Sequence, residues 1–207
     1  RAAAARRVAA LNREAGRTGE AFDALLRAVR DLAEDAALRR ELAETAQGPE
    51  QEVAAASALE TAARSLGGAA AAPVWREAAA LCERGGQPER ALASIEVALG
   101  ADPIDPEAMA SLRRLARALK RWPRLVEACT ATARASGDRA VRADALREAA
   151  VVAEGQLGDA ARAAWPIWRR FPTQTACRAF SRARPNAGNI KPAKTLTTAL
   201  TTSSSVR

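Results

Sequence analysis

The sequence predicts an all-α protein: an α-solenoid of stacked antiparallel helical hairpins, followed by a C-terminal tail of different character. Three observations carry that expectation. Of the 207 residues 48% are hydrophobic, but alanine supplies much of that share, aromatics are 3%, and Tyr and His are absent. Alanine has the best helix propensity and lets helix backbones approach closely, whereas strands favour the β-branched and aromatic residues that are sparse here. Apolar residues recur at i, i+3, i+4 and i+7, the period of an amphipathic helix. Finally, the chain repeats itself.

The repeat fixes the order of elements. "LNREAGRTGEAFDALLRAV", from Leu11, superposes on "LCERGGQPERALASIEVAL", from Leu81, so that Gly16 meets Gly86, Ala21 meets Ala91, Leu25 meets Ile95 and Ala28 meets Ala98. "LRRELAETAQGPEQEV" and "LRRLARALKRWPRLVE" align likewise, with Leu42 on Leu115, and in "VAEGQLGDAARAAWPI" Gly158 falls on Gly86. The unit of about 70 residues holds two hairpins, each near the ~34-residue period of helix–turn–helix repeats. Ten helices are expected, paired as 2–15 with 18–33, 36–47 with 50–65, 72–85 with 88–101, 106–120 with 122–135, and 139–157 with 159–170.

Local signals justify each hairpin. In the first, Gly16 stops one helix before the apolar run from Ala21 begins. The second, "GPEQEVAAASALETAARSLGGAAAAP", is helical in composition but poor in large apolar residues, and Gly67-Gly68 predicts a loose junction after it. The third carries the stripes Trp75, Ala78, Ala79, Cys82 and Ala91, Leu92, Ile95, Ala98, Leu99, separated by "GGQPE". In the fourth, "DPIDPEA" makes Asp105 an N-cap with Pro106 at the first helical position, and Trp122, Leu125, Val126 and Cys129 line one face. The fifth opens with the cap "SGD", continues through Leu146, Ala149, Ala150 and Ala153, and restarts at "GD". No such hairpin buries its apolar face alone; stacking makes the core, and terminal units and the Ala-rich second hairpin are expected to fray.

Residues 72–105 resemble one repeat of the tetratricopeptide family. Trp75 stands at the family's aromatic position, Gly86 closes the turn, Ala91 is the small residue of the second helix, Ile95 and Ala98 take its later apolar positions, and Pro103 ends the unit. Ala78-Ala79 replaces the family's Leu-Gly, and Cys82 replaces an aromatic. The resemblance implies a right-handed superhelix, a section of a larger bacterial repeat protein, and an inner wall lined by the first helix of each pair. It implies that Arg76, Ala80, Glu83, Glu107, Arg114 and Arg117 face inward, and Arg76, Glu83, Arg114 and Arg117 are the candidate partner-binding residues. Arginines at helical spacing suit a carboxylate or acidic segment, through bidentate contacts. The Lys/Asn clamp of some family members is absent from the matching positions.

Composition excludes much chemistry. Without His there is no Ser-His-Asp or Cys-His arrangement and no His-ligated metal. Cys82, Cys129 and Cys177 form no CxxC pair; the first two lie on apolar stripes and read as small buried hydrophobes. Glu41 with Glu44 and Glu50 with Glu52 read as partners in solvated i, i+3 or i, i+4 pairs, not as an acid–base couple. No phosphate-binding glycine motif occurs. Trp75 and Trp122 read as core, Trp165 and Trp168 as partly exposed. No cofactor is expected, no apolar run spans a bilayer, and unpaired thiols point to the cytoplasm. A chain starting inside a helix without Met suggests that the true N-terminus is missing.

Residues 171–207 contain six basic residues (Arg178, Arg182, Arg184, Lys191, Lys194, Arg207) and no acid, so of the net +8 the first 170 residues carry only +2. This segment reads as a disordered terminus or an altered reading frame; the competing reading is a basic arm for nucleic acid or an anionic surface. The function expected is a non-catalytic scaffold for a protein or peptide partner, with nucleic acid the lesser candidate. The alternatives are the basic arm and a substrate-recruiting region of an enzyme whose catalytic domain lies elsewhere.

Overall fold

The computed structural model describes residues 1–157, and these are all-helical, with nine α-helices and no strand among them. In chain order they are α1 (Ala2–Glu14), α2 (Thr18–Asp31), α3 (Ala36–Thr45), α4 (Pro49–Leu66), α5 (Ala72–Arg84), α6 (Pro88–Ala101), α7 (Pro106–Ala118), α8 (Trp122–Ala135) and α9 (Arg139–Leu157). A single 3-10 turn, Ala69–Ala71, precedes α5. Each helix packs on the next along the chain, and α2 also meets α4. The expected helix at 159–170, Trp165, Trp168, Cys177 and the tail 171–207 lie outside the described residues.

The turns show why these residues divide where they do. After α1, α5 and α7 the chain closes in the same way: the amide of Arg17 donates to the carbonyl of Asn12, Gln87 to Cys82 and Arg121 to Ala116, each at 2.8 Å. This is the Schellman closure, and it puts the preceding residue in the left-handed region. Gly16 (φ 74°) and Gly86 (φ 73°) fill that position, whereas the third copy uses Lys120 (φ 56°). The joints entering α3, α7 and α9 are held instead by aspartate caps. Asp35 accepts from the Leu38 amide at 3.0 Å, Asp105 from Glu107 and Ala108 at 2.9 and 3.2 Å, and Asp138 from Ala140 at 2.7 Å. Proline stands in the first turn of α4 to α8, where no amide partner is lost.

The core follows the predicted stripes. Leu25 and its counterpart Ile95, with Ala21, Ala91, Cys82, Leu125 and Cys129, are essentially inaccessible. Each fully buried Leu or Ile removes enough apolar surface from water to contribute about 1.5–3 kcal/mol. The second hairpin is well buried although it is poor in large apolar residues. Along α4 the residues Ala55, Ala56, Ala58, Leu59, Ala62 and Ala63 are all buried, and after it Ala71 of the 3-10 turn is buried too. Small side chains here reflect close approach, because α4 contacts both α2 and α5. At the far end of α5, a methyl group on Gly85 would stand 2.8 Å from Val53 Cγ2 and 3.3 Å from the Pro49 carbonyl oxygen.

Candidate functional site

Arg76 and Glu83 stand seven residues apart on α5, two turns along one face, and Arg114 and Arg117 one turn apart on α7. The structure brings two of these four together, Arg114 and Glu83. Arg114 sends Nη1 and Nη2 to the two oxygens of Glu83, at 2.6 and 2.7 Å, a bidentate fork that pushes the Arg114 pKa further up. Arg76 reaches the other way, with Nε 3.0 Å from Asp105 Oδ2 and Nη1 paired to Glu107. The Arg76 Nε–H is out of line with that carboxylate and makes no hydrogen bond. Asp105 therefore works twice, capping α7 through Oδ1 and facing Arg76 through Oδ2. Arg117 turns away from α5 to Glu148 of α9 at 3.2 Å, a carboxylate it shares with Arg113 at 2.7 Å.

The same construction runs through the odd-numbered helices. Arg6 (2.9 Å) and Arg13 of α1 hold Glu41 of α3, and Arg39 of α3 holds Glu77 of α5 at 2.8 Å. Then follow the α5–α7 pairs and the α7–α9 pairs, so each odd helix is tied to the next by guanidinium and carboxylate. Even helices have their own ties. Arg90 of α6 grips Glu60 of α4 at 2.9 and 2.7 Å, with the Ser94 hydroxyl donating to the same carboxylate at 3.2 Å. Arg121, just before α8, holds Glu89 at 2.6 Å, and Arg124 pairs with Glu96. Glu41 and Glu52, expected in pairs within one helix, are paired between helices, Glu52 with Arg84 at 3.3 Å.

The sequence names Arg76, Glu83, Arg114, Arg117 and Glu107, but not the pairing of Arg114 with Glu83 or of Arg76 with Glu107, and not Asp105 or Glu148 as partners. Neighbours on one helix stand three and four residues apart. The partners instead lie 28 to 38 residues apart, close to one repeat length. That spacing is the signal that would have found them, because it joins each odd-numbered helix to the next.

Other features carry less chemistry. An open depression of about 610 Å³ lies between α6, α7 and α8, floored by Leu99 and Leu112, with Glu96, Arg124 and Glu127 at its rim. Burial holds the Glu96 carboxyl above its ordinary range, and Arg124 offsets this in part. Burial pushes the Cys82 thiol up to about 11 and Cys129 to about 12, so both are protonated at neutral pH and poor nucleophiles. Trp75 is buried with the Arg64 guanidinium 5.8 Å above its ring, and Trp122 is partly buried against the core. Among the described residues no group of His, Cys, Asp and Glu is placed to hold a metal ion, and no helix is long and apolar enough to cross a membrane. What the α5–α7 face offers is fixed charge at the surface. Arg114 and Arg117 keep 60% and 58% of their side chains exposed, with N–H groups left over after their glutamates are satisfied. No protein-family model matches the chain, and no curated protein matches it.

Proposed function

We propose that this chain is a non-catalytic interaction scaffold, a tetratricopeptide-like right-handed α-solenoid that holds a peptide or protein partner against its odd-numbered helices. The observation that carries this reading is the serial tying of α1, α3, α5, α7 and α9, each to the next, by arginine–carboxylate pairs. Side-by-side first helices are what a stack of hairpins requires, and they define one continuous wall. On that wall Arg76, Glu83, Arg114 and Arg117 are fixed in position before any partner arrives, which lowers the ordering cost of binding. A partner bearing carboxylates would take the spare guanidinium N–H groups of Arg114 and Arg117 without breaking their ties to Glu83 and Glu148.

The test is binding of a panel of acidic peptides to the full chain, compared with Arg114→Gln and Arg117→Gln together. Each lost charge-assisted contact is worth about 1.4 kcal/mol or more, so binding should weaken by at least about tenfold while the thermal midpoint moves little. Peptides bound equally by both proteins would remove these arginines from the reading.

A further inference from the structure

Helix α1 and its C-cap residue present Ala4, Val8, Leu11 and Ala15 outward, spaced as one helical stripe, with Val8 and Leu11 left 48% and 46% exposed. Its other face, around Ala5 and Ala9, joins the core. The repeat shows how this stripe is treated elsewhere in the same molecule. Seventy residues on, the counterparts Val74, Ala78 and Leu81 of α5 are at most 1% exposed, and the fourth, Gly85, lies against Val53 and Pro49 of α4. In the next copy Ala108, Leu112 and Leu115 of α7 are at most 3% exposed, with α6 packed against that helix. In both internal copies the second helix of the preceding hairpin covers the stripe.

Charge refines the match. On α5 the stripe is flanked by Glu77 and Arg84, and both are tied to the preceding hairpin: Glu77 to Arg39 of α3, and Arg84 to Glu52 of α4. The counterparts on α1 are Arg7 and Glu14, with the signs reversed. Among the described residues neither has an ion-pair partner, whereas the inward-facing Arg6 and Arg13 both do. A hairpin like α3–α4 with its native charges would therefore set Arg39 against Arg7 and Glu52 against Glu14.

We propose that the outer face of α1 is a docking surface for a helical hairpin of the same build, bearing a carboxylate on its first helix opposite Arg7 and a basic side chain on its second helix opposite Glu14. The apolar stripe supplies the area, and the reversed charges select which hairpin sits there. None of this depends on the odd-helix wall or on what binds it.

The experiment grafts a hairpin in the place the repeat defines. A second copy of residues 36–70 is placed ahead of Arg1 in the full chain, so that it stands to α1 as the original stands to α5. One version keeps its native charges; the other carries Arg39→Glu and Glu52→Arg in the added copy only. Hydrogen exchange of the α1 amides is then measured in both and in the unextended chain. The expected result is that the charge-matched graft slows exchange around Val8 to Leu11 by about tenfold or more, and the native-charge graft by clearly less. Equal slowing by the two grafts would overturn the charge selection, and no slowing by either would overturn the docking surface. Slowing in the unextended chain that grows with concentration, together with a doubled mass in sedimentation, would make a second copy the occupant and overturn the proposal.

Discussion

Lys120 holds a backbone conformation (φ 56°) that the first and third hairpins give to Gly16 and Gly86. A side chain in the left-handed region costs about 1–2 kcal/mol, against which glycine would lose up to about 1 kcal/mol by freeing the unfolded chain. Lys120→Gly should therefore stabilise the protein by about 0.5–1 kcal/mol, read as a higher urea midpoint at an unchanged slope; a lower midpoint would contradict the turn assignment. The two thiols make a pH prediction. An unfolded cysteine ionises near pH 8.5, whereas burial pushes Cys82 up to about 11 and Cys129 to about 12. Below about pH 8.5 both states keep the proton and stability is insensitive to these groups. Above it the unfolded chain loses protons first, so stability falls as pH rises toward 11–12. Replacing both cysteines by alanine should flatten that decline between pH 8 and 10, measured as the change in urea midpoint with pH.

At the scale of the element, α4 shows what periodicity can and cannot read. A helix built on a large apolar stripe, such as α6, was legible because Leu92, Ile95 and Leu99 announce the buried face. The burial of α4 was not, since alanine serves equally on a surface and in a close contact, and only the neighbour's distance distinguishes them. Gly85 is the related case: its φ of −74° suits any residue, and what it needs is room. Gly85→Ala would drive a methyl group into Val53 and the first turn of α4, at a cost of about 1–3 kcal/mol. Val53→Ala in the same chain should recover part of that loss. Gly86→Ala should resist the same rescue, because its difficulty lies in its own backbone (φ 73°). Double-mutant unfolding curves separate the two causes; additive losses at Gly85 and Val53 would reject the close contact. The candidate site was half legible for a similar reason. Arg76, Glu83, Arg114 and Arg117 could be placed on one set of helices, but their partners follow the repeat length, not the helical turn.

Across the whole molecule the described residues 1–157 balance, with 23 basic and 23 acidic side chains, so the net +8 belongs to residues 158–207. Balance alone stabilises nothing; burial decides which ties matter. Glu60 is 8% exposed and gathers Arg90, Ser94 and Arg64 between α4 and α6. Glu148 ties Arg113 and Arg117 toward α9, but those arginines are 38% and 58% exposed. Water and salt screen the second set, so Glu148→Gln should cost no more than about 1 kcal/mol. Glu60→Gln leaves a partly buried guanidinium facing a neutral group and should cost about 1–3 kcal/mol, less than for a wholly buried pair because Arg90 keeps 31% of its side chain in water. What each carboxylate joins adds a second difference. Loss of Glu60 loosens α4 from α6 and weakens the coupling between the described hairpins on either side, whereas loss of Glu148 loosens only α9 from α7. Urea unfolding followed by far-ultraviolet circular dichroism should broaden for Glu60→Gln and keep its width for Glu148→Gln. Equal losses with equal widths would show that these ties act as isolated surface pairs, and that packing alone couples the hairpins.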